Sequence, residues 1–63
     1  MAPSLLLSPH DVRYAIADHG EMTVREIAPH VGFSEATVRR CLYRWEGVHF
    51  LRDNGHPAKW RNR

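Results

Sequence analysis

The sequence predicts a mainly α-helical fold that ends in a small β-hairpin, and three observations carry that prediction. The stretches LSPHDV, MTVREI and FSEATV share one pattern, an apolar residue, then Ser or Thr, and an apolar residue four positions after it, as expected of three helix starts. Apolar residues then recur at helical spacing after each start. Beyond Gly47, β-prone residues flank the turn signal Asn54-Gly55, which is typical of a hairpin.

The first helix is predicted near residues 9–19. Ser8 is expected to cap it, Pro9 suits the first helical position, Asp11 can close a capping box, and Gly20 follows its end. The residues predicted to face the core are Val12, Ala15, Ile16 and His19.

The second helix is predicted near residues 24–31, with Thr23 as its cap, Glu26 completing a capping box and Gly32 as its stop signal. Pro29 lies inside it and removes a backbone hydrogen bond, so we expect this helix to be short or slightly bent. Its predicted core residues are Ile27, Ala28 and Val31.

The third helix is predicted near residues 35–46, after the cap Ser34 and before Gly47. At about 100° per residue its apolar and cationic residues fall on opposite sides. The inner side is predicted to contain Val38, Cys41, Leu42 and Trp45, and the outer side Ala36, Arg39, Arg40, Tyr43 and Arg44.

The hairpin prediction does not decide which residues of the two strands face the core. A two-residue loop at Asn54-Gly55 would pair Leu51 with Ala58 and His49 with Trp60, whereas one extra residue would exchange the faces. Trp60 is the best candidate for closing the core, because it is the largest apolar side chain of this segment.

Length and charge limit the classes of function. At 63 residues the chain is expected to form a single domain over 1–63, and its one cysteine, Cys41, excludes an internal disulfide. The leucine run 5–7 is too short for a signal-peptide core, so we expect a cytoplasmic protein, nucleoid-associated if prokaryotic or viral. Residues 1–38 carry a net charge of −3 and residues 39–63 carry +5, a segregation expected of a phosphate-binding protein.

The segment from Val24 to Tyr43, with a helix before it and a hairpin after it, resembles the winged helix-turn-helix family. The positions that match are Ile27, Ala28, Val31, Gly32, Phe33, Val38 and Cys41. The resemblance implies a three-helix winged helix-turn-helix domain in which helix 35–46 is the recognition helix and residues 48–61 are the wing. It also implies binding of double-stranded DNA, by a small transcriptional regulator or accessory DNA-binding factor.

The residues expected to contact DNA combine this resemblance with the charge pattern. The recognition helix and its start supply Ser34, Glu35, Ala36, Thr37, Arg39, Arg40, Tyr43 and Arg44, and the wing supplies Arg52, Lys59 and Arg61. One such domain has a small footprint, so we expect a homodimer or tandem copies on a repeated site.

Two other functions are also consistent with the sequence. The chain also resembles the Z-alpha domains that bind left-handed nucleic acid, through Arg40, Leu42, Tyr43, Pro57 and Trp60. Arg39 stands where that family has asparagine, Ala58 replaces its second proline, and the spacing from Tyr43 to Trp60 is about a residue short. The other alternative is a winged-helix protein-interaction module that uses apolar residues such as Tyr14, Phe50 and the leucines 5–7.

Catalysis, a metal site and a cofactor are not expected. The five histidines form no H-x₃-H pair, and Cys41 has no second thiol. Ser34 and Thr23 are used as helix caps, and the sequence contains no glycine-rich phosphate loop or paired carboxylates.

Overall fold

The computed structural model of the protein describes residues 6–63, which form three helices and one antiparallel three-stranded sheet. The elements follow the order α1 (Pro9–His19), β1 (Met22–Thr23), α2 (Val24–Val31), α3 (Glu35–Trp45), β2 (Phe50–Arg52) and β3 (Lys59–Asn62). The predicted fold class, mainly α with a small β-hairpin, is confirmed. Within residues 6–63, none of the helices combines the length and the hydropathy needed to span a bilayer.

Each helix begins at its predicted cap. The hydroxyls of Ser8, Thr23 and Ser34 each accept a hydrogen bond from the backbone N–H three residues later. At Thr23 the capping box is complete, since Glu26 accepts from the Thr23 N–H at 3.0 Å. At Ser8 the capping box is incomplete, because the carboxylate of Asp11 accepts from the Ser8 hydroxyl instead of from the Ser8 backbone N–H.

The end of α3 differs slightly from the prediction. The helix stops at Trp45, one residue early, and Glu46 already has an extended backbone with φ −60° and ψ 132°. Gly47 follows in the turn with φ 80°, a left-handed conformation that favours glycine. This turn sends the chain back from α3 into β2.

The three helices and the sheet share one core. Its most deeply buried residues are Val12, Ile27, Val38, Leu42, Phe50 and Trp60. Three expected core residues, Val31, Cys41 and Trp45, are only partly buried. His19 was predicted to face the core, but it is exposed, because α1 ends there and its side chain leaves the packed surface.

The two leucines that precede Ser8 differ in burial. Leu7 packs into the core, whereas Leu6 is 79% exposed and Leu5 lies outside the described residues. Pro29 is exposed and lies inside α2, which is a single short helix of eight residues.

The hairpin does not have the register of a two-residue loop at Asn54-Gly55. Leu51 pairs with Arg61 and Arg52 with Trp60, so the pairings that such a loop would give, Leu51 with Ala58 and His49 with Trp60, do not form. The loop is wider than two residues because a carboxylate oxygen of Asp53 accepts from the N–H groups of Gly55 and Lys59, each at 2.9 Å.

A short strand between α1 and α2 completes the sheet. Met22 pairs with Trp60 and Thr23 with Lys59, which places β3 between β1 and β2. Both residues of β1 are buried, so the wing is joined to the helical part by backbone pairing as well as by side-chain packing. The wing is therefore attached to the segment between α1 and α2.

Candidate nucleic-acid interface

Helix α3 separates its apolar and cationic residues as the sequence predicts. Val38 and Leu42 are 0% exposed and pack in the core. The residues of the outer face, which are all exposed, are Ala36, Arg39, Arg40, Tyr43 and Arg44. This orientation follows from the cap at Ser34, which fixes where the helix begins, and from burial of the residues spaced four apart.

The three arginines of the outer face are not neutralised by carboxylates of the described chain. Within residues 6–63, no carboxylate oxygen lies within ion-pair distance of Arg39, Arg40 or Arg44. A guanidinium has five N–H donors in a planar fork that matches phosphate oxygens and the guanine edge. These three groups are therefore available to a polyanion outside the chain.

The start of α3 presents small polar groups beside these arginines. Ser34, Glu35 and Ala36 are exposed, and Thr37 is partly buried. The hydroxyl of Ser34 accepts from the Thr37 N–H at 3.2 Å and lies 3.0 Å from the Thr37 hydroxyl. The predicted set at this helix end is thus brought together, with two of its hydroxyls already hydrogen-bonded to each other.

A cleft of about 370 Å³ lies between the start of α2, the outer face of α3 and the wing loop. Its lining residues are Thr23, Val24, Arg25, Glu35, Arg39, Tyr43, Pro57, Ala58 and Trp60. Arg25 adds a cation that is not among the predicted contact residues, because it lies in the acidic half of the chain. The available signal was its position in the first turn of α2, next to the cap Thr23.

The wing cations Lys59 and Arg61 are exposed on β3, alternating with the buried Trp60. Arg61 is 4.0 Å from Glu21, and both side chains are at least half exposed, so this pair holds the guanidinium only weakly. Lys59 lies near two carboxylates, those of Glu26 and Asp53, without forming an ion pair.

Both carboxylates near Lys59 are stabilised in their charged form. The N–H of Thr23 lowers the pKa of Glu26 below its ordinary value, and the charge of Lys59 adds to this effect. The N–H groups of Lys59 and Gly55 lower the pKa of Asp53. The wing loop is therefore closed by an ionised Asp53 at neutral pH.

Two other arginines of the wing region are engaged within the chain. Arg52 forms an ion pair with Glu46 at 3.5 Å and lies over the rings of Tyr43 and Trp60. The Arg63 guanidinium donates a hydrogen bond to the carbonyl of Gly47. Of the three predicted wing contacts, Lys59 and Arg61 therefore have the more accessible cations.

The histidines and Cys41 do not come together as a metal site. Among residues 6–63, no group of three His, Cys, Asp or Glu side chains is arranged to hold a metal ion. The rings of His19 and His30 are in contact, with centres 4.3 Å apart and planes tilted by 41°. They connect the end of α1 to the end of α2.

Helix α2, the turn at Gly32 and helix α3 define the class of helix-turn-helix DNA-binding proteins. Gly32 has the left-handed backbone that this turn needs, with φ 76° and ψ 27°, and its N–H donates to the Ala28 carbonyl. Residues 13–52, more than half of the chain, match the DeoR-like helix-turn-helix domain. The chain belongs to this winged helix-turn-helix family, whose domains bind DNA, are typical of transcriptional regulators and are normally not enzymes.

Comparison with curated proteins and with solved structures found no match. The matched range of the family ends at Arg52, the last residue of β2. The loop at 53–58 and strand β3 therefore lie beyond it.

Proposed function

We propose that residues 1–63 act as one winged helix-turn-helix domain that binds double-stranded DNA, with α3 as the recognition helix and the basic wing as a second contact. The protein would serve as a small transcriptional regulator or accessory DNA-binding factor. The observation that carries this proposal is the exposure of Arg39, Arg40 and Arg44 on the side of α3 opposite Val38 and Leu42, without ion pairs among residues 6–63.

In this proposal α3 enters the major groove. The small side chain of Ala36 allows close approach near the N-terminal end of the helix, and the arginines bind guanine O6 and N7 or phosphate oxygens. Glu35 can accept a hydrogen bond from the amino group of cytosine. Ser34 and Thr37 lie at the positive end of the helix dipole, where a phosphate is favoured.

The wing contributes charge rather than base recognition. Lys59 and Arg61 are placed to contact the sugar–phosphate backbone next to the groove that α3 occupies. Arg25 at the start of α2 supplies another cation across the cleft. The small footprint favours two copies on a repeated site, and DNA binding favours a cytoplasmic or nucleoid location.

Binding to random and selected duplexes tests the proposal. Affinity should fall steeply as salt rises, because bound cations displace the counterions of DNA. Arg40→Ala should lower affinity by about 1–3 kcal/mol and relax the base preference, whereas Lys59→Ala should weaken all sequences alike and reduce the salt slope by about one. Absence of salt-sensitive binding would contradict the proposal and favour a protein-interaction module, for which Tyr14 and Val48 supply exposed apolar surface.

A specific observation also favours the Z-form alternative. The ring of Tyr43 meets Trp60 edge-on at 5.6 Å, and Pro57 lines the same cleft, so three of the residues that resemble Z-alpha domains lie together. Arg39 and Ala58 depart from that family's pattern. Circular dichroism of an alternating CG duplex should stay right-handed when the protein is added, and inversion of the spectrum would support the alternative.

A further inference from the structure

Arg52 lies where α3, β2 and β3 meet. In the sheet register it is opposite Trp60. Its guanidinium carbon is 5.1 Å from the centre of the Tyr43 ring and 5.9 Å from that of Trp60. Its Nε is 3.5 Å from a carboxylate oxygen of Glu46, the residue that follows the last residue of α3. We call these four residues, Tyr43, Glu46, Arg52 and Trp60, the Arg52 cluster.

The two rings of the Arg52 cluster join an exposed surface to the core. Tyr43 is 51% exposed on the outer face of α3, whereas Trp60 is 1% exposed. Their ring planes are 87° apart, the edge-to-face arrangement that aromatic quadrupoles prefer. The buried indole therefore holds the Tyr43 ring, and the guanidinium of Arg52 lies over both.

The carboxylate of Glu46 lies where a negative charge is unfavourable, at the C-terminal end of α3. A carboxylate at the C-terminal end of a helix is disfavoured by the negative end of the helix dipole. It also adds a negative charge beside a surface proposed to bind a polyanion. The ion pair with Arg52 accounts for this residue, since it balances the charge and joins α3 to the wing.

We propose that Arg52 and Glu46 are positioning residues that fix the wing against α3, so that both reach the DNA as one rigid surface. This inference rests on the proposed function. Arg52 then acts through Tyr43 and Trp60 and not on a phosphate. A preorganised surface loses less conformational freedom on binding, which strengthens it without adding a contact. Arginine suits this role better than lysine, because its planar group stacks on rings while donating to a carboxylate.

Glu46→Gln separates positioning from simple electrostatics, because the two predict opposite changes in the affinity for duplex DNA. The substitution raises the net charge above +2, so charge alone predicts tighter binding of a random duplex. Loss of positioning predicts weaker binding, by about fivefold where the freed Arg52 guanidinium also gives up one of its ring contacts. Glu21→Gln is the matched control, because it removes the same charge from a pair without ring contacts and should bind at least as tightly as wild type.

Arg52→Gln separates positioning from a phosphate contact. If Arg52 neutralised a phosphate, the slope of log affinity against log salt would fall by about 0.9, as expected for Arg44→Gln. In the positioning role, affinity falls by about fivefold at every salt concentration and the slope stays at the wild-type value. Fluorescence anisotropy of a labelled duplex measures both quantities.

Proton NMR of the free protein provides a readout that does not depend on DNA. The nuclear Overhauser effects between the Tyr43 and Trp60 rings should weaken in Arg52→Gln and Glu46→Gln and persist in Glu21→Gln. Unchanged ring contacts, tighter binding by Glu46→Gln or a reduced salt slope in Arg52→Gln would each overturn the inference. If the wild type shows no salt-sensitive duplex binding, the proposed function fails, and the ring contacts alone decide whether the Arg52 cluster positions the wing.

Discussion

Replacing Arg39, Arg40 and Arg44 together with glutamine should remove most of the salt dependence that α3 contributes to duplex binding. None of the three forms an ion pair among residues 6–63, so the substitutions leave no carboxylate of that range without its partner. On a random duplex, which offers no preferred base, we expect all three arginines to contact phosphates. Each phosphate neutralised adds about 0.9 to the slope of log affinity against log salt, so three contacts contribute about 2.7. Between about 50 and 200 mM salt, this corresponds to an affinity loss of about 40-fold that the variant should not show.

Fluorescence anisotropy with a labelled random duplex over a salt series measures this slope. Arg13→Gln, which removes an exposed cation from α1, is the control and should keep the wild-type slope. Circular dichroism of the free proteins checks that helix content is unchanged. A triple variant that retains the full wild-type slope would refute the assignment of α3 as the recognition helix.

Three further predictions concern the scaffold that presents this surface, and urea unfolding measures each. Leu42→Ala should lower the free energy of unfolding by about 2–5 kcal/mol, because Leu42 is 0% exposed in the core. Val48→Ala, at a 64% exposed position, should be nearly neutral. Equal losses in the two variants would contradict the assigned core. Thr23→Ala should cost about 1 kcal/mol through loss of the α2 cap, and a neutral result would contradict the capping box. Asp53 has a lowered pKa in the folded state. The stability that its charged form contributes is therefore fully present above pH 3.8, its ordinary pKa, and is lost as the pH falls through the lower pKa of the folded state. Asp53→Asn should therefore be less stable than wild type at pH 7 by a margin that shrinks in acid, and a margin independent of pH would contradict this.

The helices were predictable because their signals are local. Ser8, Thr23 and Ser34 cap helices through N–H groups only three residues away, and Gly32 takes the left-handed backbone within the same turn. The polarity of α3 follows from helical periodicity alone. Local chemistry and the global fold agree at these positions, which is why the sequence sufficed.

The sheet was harder to predict because its pairing depends on distant residues. Met22 belongs to a two-residue strand that pairs with Trp60, and no periodicity is visible in so short a segment. The hairpin register depends on the Asp53 carboxylate, which bonds to Lys59 across the loop and overrides the two-residue turn at Asn54-Gly55. A shift of register by one residue exchanges side-chain faces, so the burial of wing residues could not be predicted without knowing this loop.

The charged face of α3 was predictable from the sequence, but the contacts between side chains of the candidate site were not. Spacing on α3 predicted that Arg39, Arg40 and Arg44 lie together. It did not predict that Arg52 would be held by Glu46, because that pair depends on how the turn after α3 returns the chain into β2. Arg25 enters the site only through the packing of α2 against α3.

The most direct measurement of the central claim is an NMR titration of the wild-type protein with a short duplex, following the side-chain Nε–H signals of its arginines. The signals of Arg39, Arg40 and Arg44 should shift as duplex is added, while that of Arg13 on α1 stays in place. The methyl signals of Val38 and Leu42, on the buried side of α3, should move little. Shifts confined to α1, with the three arginine signals of α3 unchanged, would contradict the claim that this helix face binds DNA.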